Sequence, residues 1–218
     1  LELLDIVNEQ APQIDYNPKI LDPKYTTPIK YIYHLSDIHI HLYKRHVEYV
    51  EMFDKLYAYL IAEKVSQGIK GNNNIPCICV MTGDILHSKS DLSPECIAIT
   101  YKLFKSISEL MPLVIIPGNH DLNMNNKNRL DSLTPIICDL PTVNPVYYLP
   151  STGIYKLSNI ILSHASIFDY IIPNPAEIIA PTGDEIKVIL FHGRINGVLL
   201  YNAAGTGAIQ GEINTRTK

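Results

Sequence analysis

The chain of 218 residues is 46% hydrophobic and 18% charged, with a net charge of −4. That is length enough for one α/β domain with a substantial core, and the acidic balance argues against a stand-alone, high-affinity DNA binder, although bound cations and local basic residues can still attract a phosphate backbone. No run of about eighteen apolar residues occurs, so no membrane span is expected, and nothing near Leu1 resembles a secretory signal. Residues 1–28 carry Pro12, Pro18, Pro23 and Pro28 with little periodicity and read as an extended leader packed on the surface, followed by a single domain over 29–218. From Ile29 the pattern is strand, helix, strand, helix, strand. Ile32–Leu35 is the first strand. A helix over about Lys44–Ser66 sets Val47, Val50, Phe53, Leu56, Tyr57, Leu60 and Ile61 on one face, expected to be core. Gly68–Asn74 is a loop, and Ile78–Met81 a buried strand in which Cys77 and Cys79 share a side. Ser93 caps a helix that begins with Pro94 and runs to about Leu110. Leu113–Ile116 is the third strand, and Asn123–Asn128 a polar loop that either touches substrate or is simply solvated. Beyond Pro141, strands near Val146–Leu149, Ile154–Leu157, Asn159–Ser163 and Lys187–Phe191 suggest a second sheet. Two mixed sheets facing each other, with helices outside, make an α/β sandwich. No cysteine pair has C-x-x-C spacing, so Cys77, Cys79, Cys96 and Cys138 read as free buried thiols in a reducing compartment.

The chemistry is concentrated in three short motifs, each just past an apolar strand: Asp37-Ile-His39, Gly83-Asp84, and Gly118-Asn119-His120-Asp121. In a parallel sheet, residues past the carboxyl ends of the strands converge on one crevice. Asp37 and His39 are two apart, so extended backbone would point both the same way and let them share a metal. Gly83 allows a tight bend, and the two oxygens of Asp84 can bridge two cations. Asn119 offers a neutral carbonyl oxygen to a second metal, and His120 can stand beside the pair as an acid or a phosphate contact. Oxygen and nitrogen donors of this mix suit Mn, Zn or Fe and not a thiolate site. Two cations roughly 3.5–4 Å apart, clamping the attacking and leaving oxygens, are a device for phosphoester cleavage. D-x-H or G-D alone carries little weight; the ordered set at three strand ends carries the reading.

On these motifs the chain, from about Ile29 to Gly197, resembles the calcineurin-like metallophosphoesterases. Within them, His34-Leu-Ser-Asp-Ile-His39, Gly83-Asp-Ile-Leu-His87 and Pro117-Gly-Asn-His-Asp121 look most like SbcD-type DNA-repair nucleases, the subunit that pairs with a coiled-coil ATPase. The protein Ser/Thr phosphatases show G-D-x-x-D-R-G and G-N-H-E, from which Ile85-Leu86-His87 and Asp121 depart. Asn125–Leu133 also resembles versions carried by large DNA viruses. The resemblance implies a four-layer α/β/β/α sandwich, the metallophosphoesterase fold. It implies that Asp37 and His39 hold one metal, Asp84 bridges, and Asn119 with a later histidine holds the second. His120 would protonate the leaving oxygen or steady the phosphoryl group, His87 would contact substrate phosphate, and a metal-bridging hydroxide would attack. His192, after Val188–Phe191, fits the family's strand-then-histidine pattern better than His164. His34 is expected to be packed or supporting, and His41 and His46 to lie on the solvent side at a helix start.

The family completes its site with a further strand ending in G-H-x-H or G-D-x-H, and no such motif follows His192. The domain is therefore expected to be C-terminally incomplete, with residues beyond Lys218 finishing the site; Asn202–Gly207 reads as a flexible loop. The functional expectation is a DNA nuclease subunit of an SbcCD-type complex, using two divalent ions, Mn2+ first and Zn2+ or Fe as alternatives. DNA is the expected substrate, an SbcC-type coiled-coil ATPase the expected partner, and a homodimer a further expectation. An intracellular site is implied: cytoplasmic or nuclear, or a viral factory or virion if the source is viral. The rival readings are a small-molecule or nucleotide phosphoesterase and a scaffold of the same fold that has lost its metals.

Overall fold

A computed structural model describes residues 14–71, 75–126, 128–169 and 171–193, together with the backbone of 199–201 and 208–210. The described residues hold ten strands and three helices, which alternate only from β2 to β5. In the first sheet, β2 (Tyr31–Leu35), β3 (Cys77–Thr82), β4 (Leu113–Ile116) and β5 (Val146–Tyr148) lie side by side in that order, all parallel. Its crossovers carry α1 (His46–Ser66), α2 (Pro94–Leu110) and the short α3 (Thr134–Ile137). Every residue of β3 and β4 is buried, as continuous apolar runs in a doubly covered parallel sheet require. Cys77, Cys79, Met81, Leu113 and Ile115 pack under the helices, where Leu103, Phe104 and Ile107 of α2 close the core.

The alternate residues Ile78, Val80, Val114 and Ile116 face the other way, onto Leu157, Ile160, Leu162 and Leu190 of the second sheet. That sheet is mixed, in the order β1 (Lys19–Ile20), β6 (Gly153–Leu157), β7 (Ile160–Ala165) and β8 (Ile186–Phe191), with only β6 and β7 antiparallel. The expected α/β sandwich of two stacked sheets is present, but the first sheet is parallel throughout instead of mixed. On the outer face of the second sheet, Ile154 and Ile161 are covered by Ile178, Ile14 and Tyr16, not by a described helix. The segment before Ile29 also supplies β1 to the second sheet. Asn159 ties the two sheets at this edge, accepting from the Ile29 N–H at 2.7 Å and donating to its carbonyl at 3.2 Å. A further hairpin, β9 (Leu199–Tyr201) with β10 (Ala208–Gln210), follows β8 and was not anticipated. Residues 1–13, 72–74 and 127, and the loop expected over 202–207, lie outside the described residues. No helix among the described residues is long and apolar enough to cross a membrane.

The expected α1 stripe needs correction. Val50, Phe53, Leu56, Tyr57 and Leu60 pack on the core, but Val47 is 72% exposed and Ile61 50%. At about 100° per residue, Ile61 is turned a full step from buried Leu60, and Val47 lies roughly 140° round the helix from it. Of the thiols, Cys77, Cys79 and Cys96 are buried, whereas Cys138, just past α3, is exposed. The Ser93 cap stands as read: its hydroxyl accepts from the Cys96 N–H at 3.2 Å and donates to the Leu42 carbonyl at 2.9 Å. Ser93→Ala is expected to cost about 1 kcal/mol in denaturant unfolding, the usual worth of a helix cap.

Candidate metal centre

The carboxyl ends of β2, β3 and β4 open beside the end of β8, and each delivers one piece of the site. The segment after β2 runs along the segment after β3. The Asp37 and His39 N–H groups donate to the Gly83 and Asp84 carbonyls at 3.1 and 2.9 Å, and Ile40 pairs with Leu86 in a parallel bridge. Asp37, His39 and Asp84 have φ of 53°, 50° and 52°. Asp37 and His39 are therefore not extended, as the sequence suggested; left-handed turns aim them. Non-glycine residues held in this region cost energy and cluster at functional sites. Even so, the two side chains converge, with His39 Nε2 3.9 Å from Asp37 Oδ1 and 3.6 Å from Asp84 Oδ2.

At Gly83 (φ 88°) and Gly118 a side chain is sterically excluded. A Cβ on Gly118 would meet Asp84 Oδ1 at 2.2 Å, and one on Gly83 would meet the Gly118 backbone at 2.7 Å. This close approach brings the loop after β4 against Asp84, whose Oδ1 accepts from the His120 N–H at 2.9 Å. His192, from the end of β8, enters on the other side: its Nε2 is 3.4 Å from Asp84 Oδ2 and 3.2 Å from Asn119 Oδ1. Its Nδ1 lies 2.8 Å from the Thr82 carbonyl, to which it donates, so Nε2 is left facing the carboxylate. Fixing the tautomer in this way is what a ligating imidazole needs. His164 is elsewhere, fully buried in β7 with Nδ1 donating to the Ser151 carbonyl at 2.9 Å.

His120 and His87 stand on the far side of His39. Ring centroids are 4.8 Å apart for His39 and His120 and 5.5 Å for His87 and His120. His120 Nδ1 donates to the His87 carbonyl at 2.7 Å, which leaves its Nε2 for substrate. His41, expected on the solvent side, instead lies against His87 at 3.8 Å between centroids, because the Ile40–Leu86 bridge sets the two loops side by side. His46 opens α1, and its Nε2 donates to the His41 carbonyl at 2.7 Å. His34 is exposed and not packed, with its Nε2 2.7 Å from Thr82 Oγ1.

Asp121 is a residue whose role the sequence did not disclose. It is fully buried, and its Oδ2 accepts from the Gly118 N–H at 2.9 Å and the Ile85 N–H at 3.3 Å, while its Oδ1 accepts from Leu86 at 2.9 Å. One carboxylate therefore holds the Gly118–Asp121 loop onto the Gly83–His87 loop. Burial pushes its pKa up to about 6, against the lowering by these N–H groups. Its position as the last residue of a glycine-started loop was the available signal.

The donor set fits divalent cations. Two carboxylates, two imidazoles and a carboxamide lie within hydrogen-bonding to ion-pairing distance in a chain around Asp84, and Asp37, Asp84 and His192 have ligand atoms within 4.8 Å of one another. Asp84 is only 4% exposed, yet among the described residues no lysine or arginine pairs with it. A buried carboxylate needs a positive partner. Burial would raise its pKa, but the His192 ring and the His120 N–H outweigh that and hold it below the usual carboxylate range. Hydrogen bonding to Asp84 correspondingly holds His192 above its ordinary value. A ligating histidine must shed its proton, so metal affinity falls as pH falls through that raised value. Isothermal titration with Mn2+ is expected to show weaker binding at pH 6 than at pH 8, with proton release at the lower pH; equal affinity at both would exclude His192 as a ligand.

A family model described as calcineurin-like phosphoesterase matches residues 30–206. The sequence is also 42% identical over 176 residues, 78% of the chain, to an uncharacterized protein of Acanthamoeba polyphaga mimivirus. The chain spans 12% of the length of that curated relative.

Proposed function

The chain belongs to the calcineurin-like phosphoesterase family, and from that premise we propose that it is a metal-dependent phosphodiesterase acting on DNA, the nuclease subunit of an SbcCD-type complex. The observation that carries the reading is the convergence on Asp84: His39 at 3.6 Å and His192 at 3.4 Å reach its Oδ2, and the His120 N–H reaches its Oδ1. In this reading Asp37 and His39 hold one divalent ion, Asn119 and His192 the other, and Asp84 lies between them. Mn2+ is the first choice, with Zn2+ or Fe as alternatives for the same oxygen and nitrogen donors. When bound, such ions supply charge to the phosphoryl oxygens and lower the pKa of water.

The protein's own groups do the rest. Asp121 keeps Asn119 and His120 in register with Asp84. His120, steadied through Nδ1 by the His87 carbonyl, presents Nε2 to the leaving oxygen as proton donor. His87, beside it and exposed, contacts a non-bridging phosphate oxygen. The chain carries all five proposed ligand residues, Asp37, His39, Asp84, Asn119 and His192, and both proposed histidines, His87 and His120, which speaks against a scaffold that has lost its metals. His87 and Asp121, where protein phosphatases have other residues, favour a nuclease over a protein phosphatase. A coiled-coil ATPase of SbcC type is the proposed partner, with a homodimer as the proposed assembly. The proposed setting is intracellular, cytoplasmic or nuclear, or a viral factory or virion if the source is a large DNA virus.

The protein with Mn2+ is expected to cleave linear duplex or single-stranded DNA and to hydrolyse bis-p-nitrophenyl phosphate, with both activities removed by EDTA. Hydrolysis of the small diester with no DNA cleavage, even with the ATPase subunit added, would move the reading to a small-molecule phosphodiesterase. No hydrolysis and no bound metal would leave the scaffold.

A further inference from the structure

Beside the carboxylates stands a second group of donors made of imidazoles alone. His39 lies in the loop after β2, His87 in the loop after β3 and His120 in the loop after β4. One ring nitrogen of each is within 4.8 Å of one on each of the others. Ring centroids are 4.8 Å apart for His39 and His120, 5.5 Å for His87 and His120, and 5.6 Å for His39 and His87. Three imidazoles on one tetrahedral zinc, bonded at about 2.0–2.1 Å, set their centroids roughly 5 Å apart. The backbone holds this triangle together. The Ile40–Leu86 bridge joins the loops of His39 and His87, and His120 Nδ1 donates to the His87 carbonyl at 2.7 Å. His41 braces the open side, its ring 3.8 Å from that of His87.

The nitrogens are available. The bond through Nδ1 leaves His120 with its Nε2. His87 is exposed, so an ion reaches it from solvent. Among the described residues no hydrogen bond holds the His39 ring. Its Nδ1 is buried without a partner, and its Nε2 lies 3.9 Å from Asp37 and 3.6 Å from Asp84, beyond hydrogen-bonding distance. His39 can therefore side with the carboxylates or with the other two histidines. The donor types divide the ions. Asp37, Asp84 and His192 form a carboxylate-rich group, which suits Mn2+, whereas three neutral imidazoles suit Zn2+ far better.

We propose that His39, His87 and His120 form a zinc site of their own, and that zinc bound there switches the centre off. The ion takes His120 Nε2, so the proposed proton donor has no proton to give. It takes His87 from the substrate phosphate and draws His39 away from Asp37. Zinc is then the inhibitor, and Mn2+ the activator, of one centre. This consequence rests on the phosphodiesterase reading; the zinc site itself does not.

The test is titration with Zn2+, and with Co2+ as its coloured stand-in, of the wild type, His87→Ala, His87→Cys and His192→Ala. The His87 carbonyl that accepts from His120 is backbone and survives each substitution. His87→Ala is expected to weaken zinc binding by more than about a hundredfold, since loss of even a supporting group costs 10- to 100-fold. His192→Ala, which touches only the carboxylate-rich group, should keep the site. His87→Cys should also keep it and add the near-ultraviolet sulfur-to-cobalt charge-transfer band, which a merely structural role for His87 would not produce. With Mn2+ present, zinc should inhibit hydrolysis of bis-p-nitrophenyl phosphate by the wild type, and the residual hydrolysis by His87→Ala should resist zinc by a similar factor. Unchanged zinc affinity in His87→Ala, or cobalt bound to His87→Cys without the new band, would overturn the site. Equal sensitivity of the two hydrolyses to zinc would overturn the switch. Zinc binding that depends on His87, in a wild type that hydrolyses nothing with Mn2+, would sink the phosphodiesterase reading and leave the zinc site standing.

Discussion

Asp84→Ala is expected to abolish Mn2+-dependent hydrolysis of bis-p-nitrophenyl phosphate, by at least about a thousandfold. Metal ions contribute several kcal/mol of charge stabilisation to such reactions, and each tenfold in rate is about 1.4 kcal/mol. The reason for so large a loss is the position of this one side chain. Its Oδ2 faces both His39 and His192, and its Oδ1 accepts the His120 N–H. Removing it takes away the group between the two proposed metals and the acceptor that orients the proposed acid. Asp84→Asn keeps the shape and the hydrogen bond but not the charge, so it should lose metal affinity with less change in melting temperature. Activity of Asp84→Ala within tenfold of wild type would mean that the reaction runs elsewhere.

Asp121→Ala is expected to destabilise the protein by about 3 kcal/mol or more. It orphans the buried N–H groups of Ile85, Leu86 and Gly118, each worth about 1 kcal/mol or more when left unpaired. In a chain of this size that corresponds to a fall of about 6–12 °C in Tm. Activity should fall further than stability explains, since the same three bonds set the Gly118–His120 loop against Asp84. Asp121→Asn should fall between, because an amide offers one acceptor oxygen where both carboxylate oxygens now accept N–H groups. A melting temperature within about 2 °C of wild type for Asp121→Ala would show that the two loops do not depend on this carboxylate.

These two residues mark what was legible in the chain and what was not. Asp84 could be found because it follows a run of buried apolar residues, Cys77–Met81, that can only be a covered strand, and because Gly83 announces the bend. The same reasoning located Asp37, His39, Asn119 and His192, since each closes a strand whose apolar pattern is local. Asp121 looked like an ordinary turn residue. Its partners are backbone N–H groups, and two of them lie 35 and 36 residues away, where no side-chain pattern registers them. His41 was misplaced for a similar reason: its contact with His87 depends on the bridge between Ile40 and Leu86, which belongs to neither segment alone. The left-handed backbone at Asp37 and His39 was also invisible, because sequence spacing assumes a regular element and the segment has left its strand by Ser36. The second sheet was legible as alternating strands. The cover on its outer face, Ile14, Tyr16 and Ile178, was not, because irregular chain has no period.

The most direct test of the central claim is an anomalous difference map at the manganese edge, from crystals grown with Mn2+. Two peaks are predicted about 3.5–4 Å apart on either side of the Asp84 carboxylate, one against Asp37 and His39 and the other against Asn119 and His192. No peak within coordinating distance of Asp84, or manganese held only by other residues, would contradict the account.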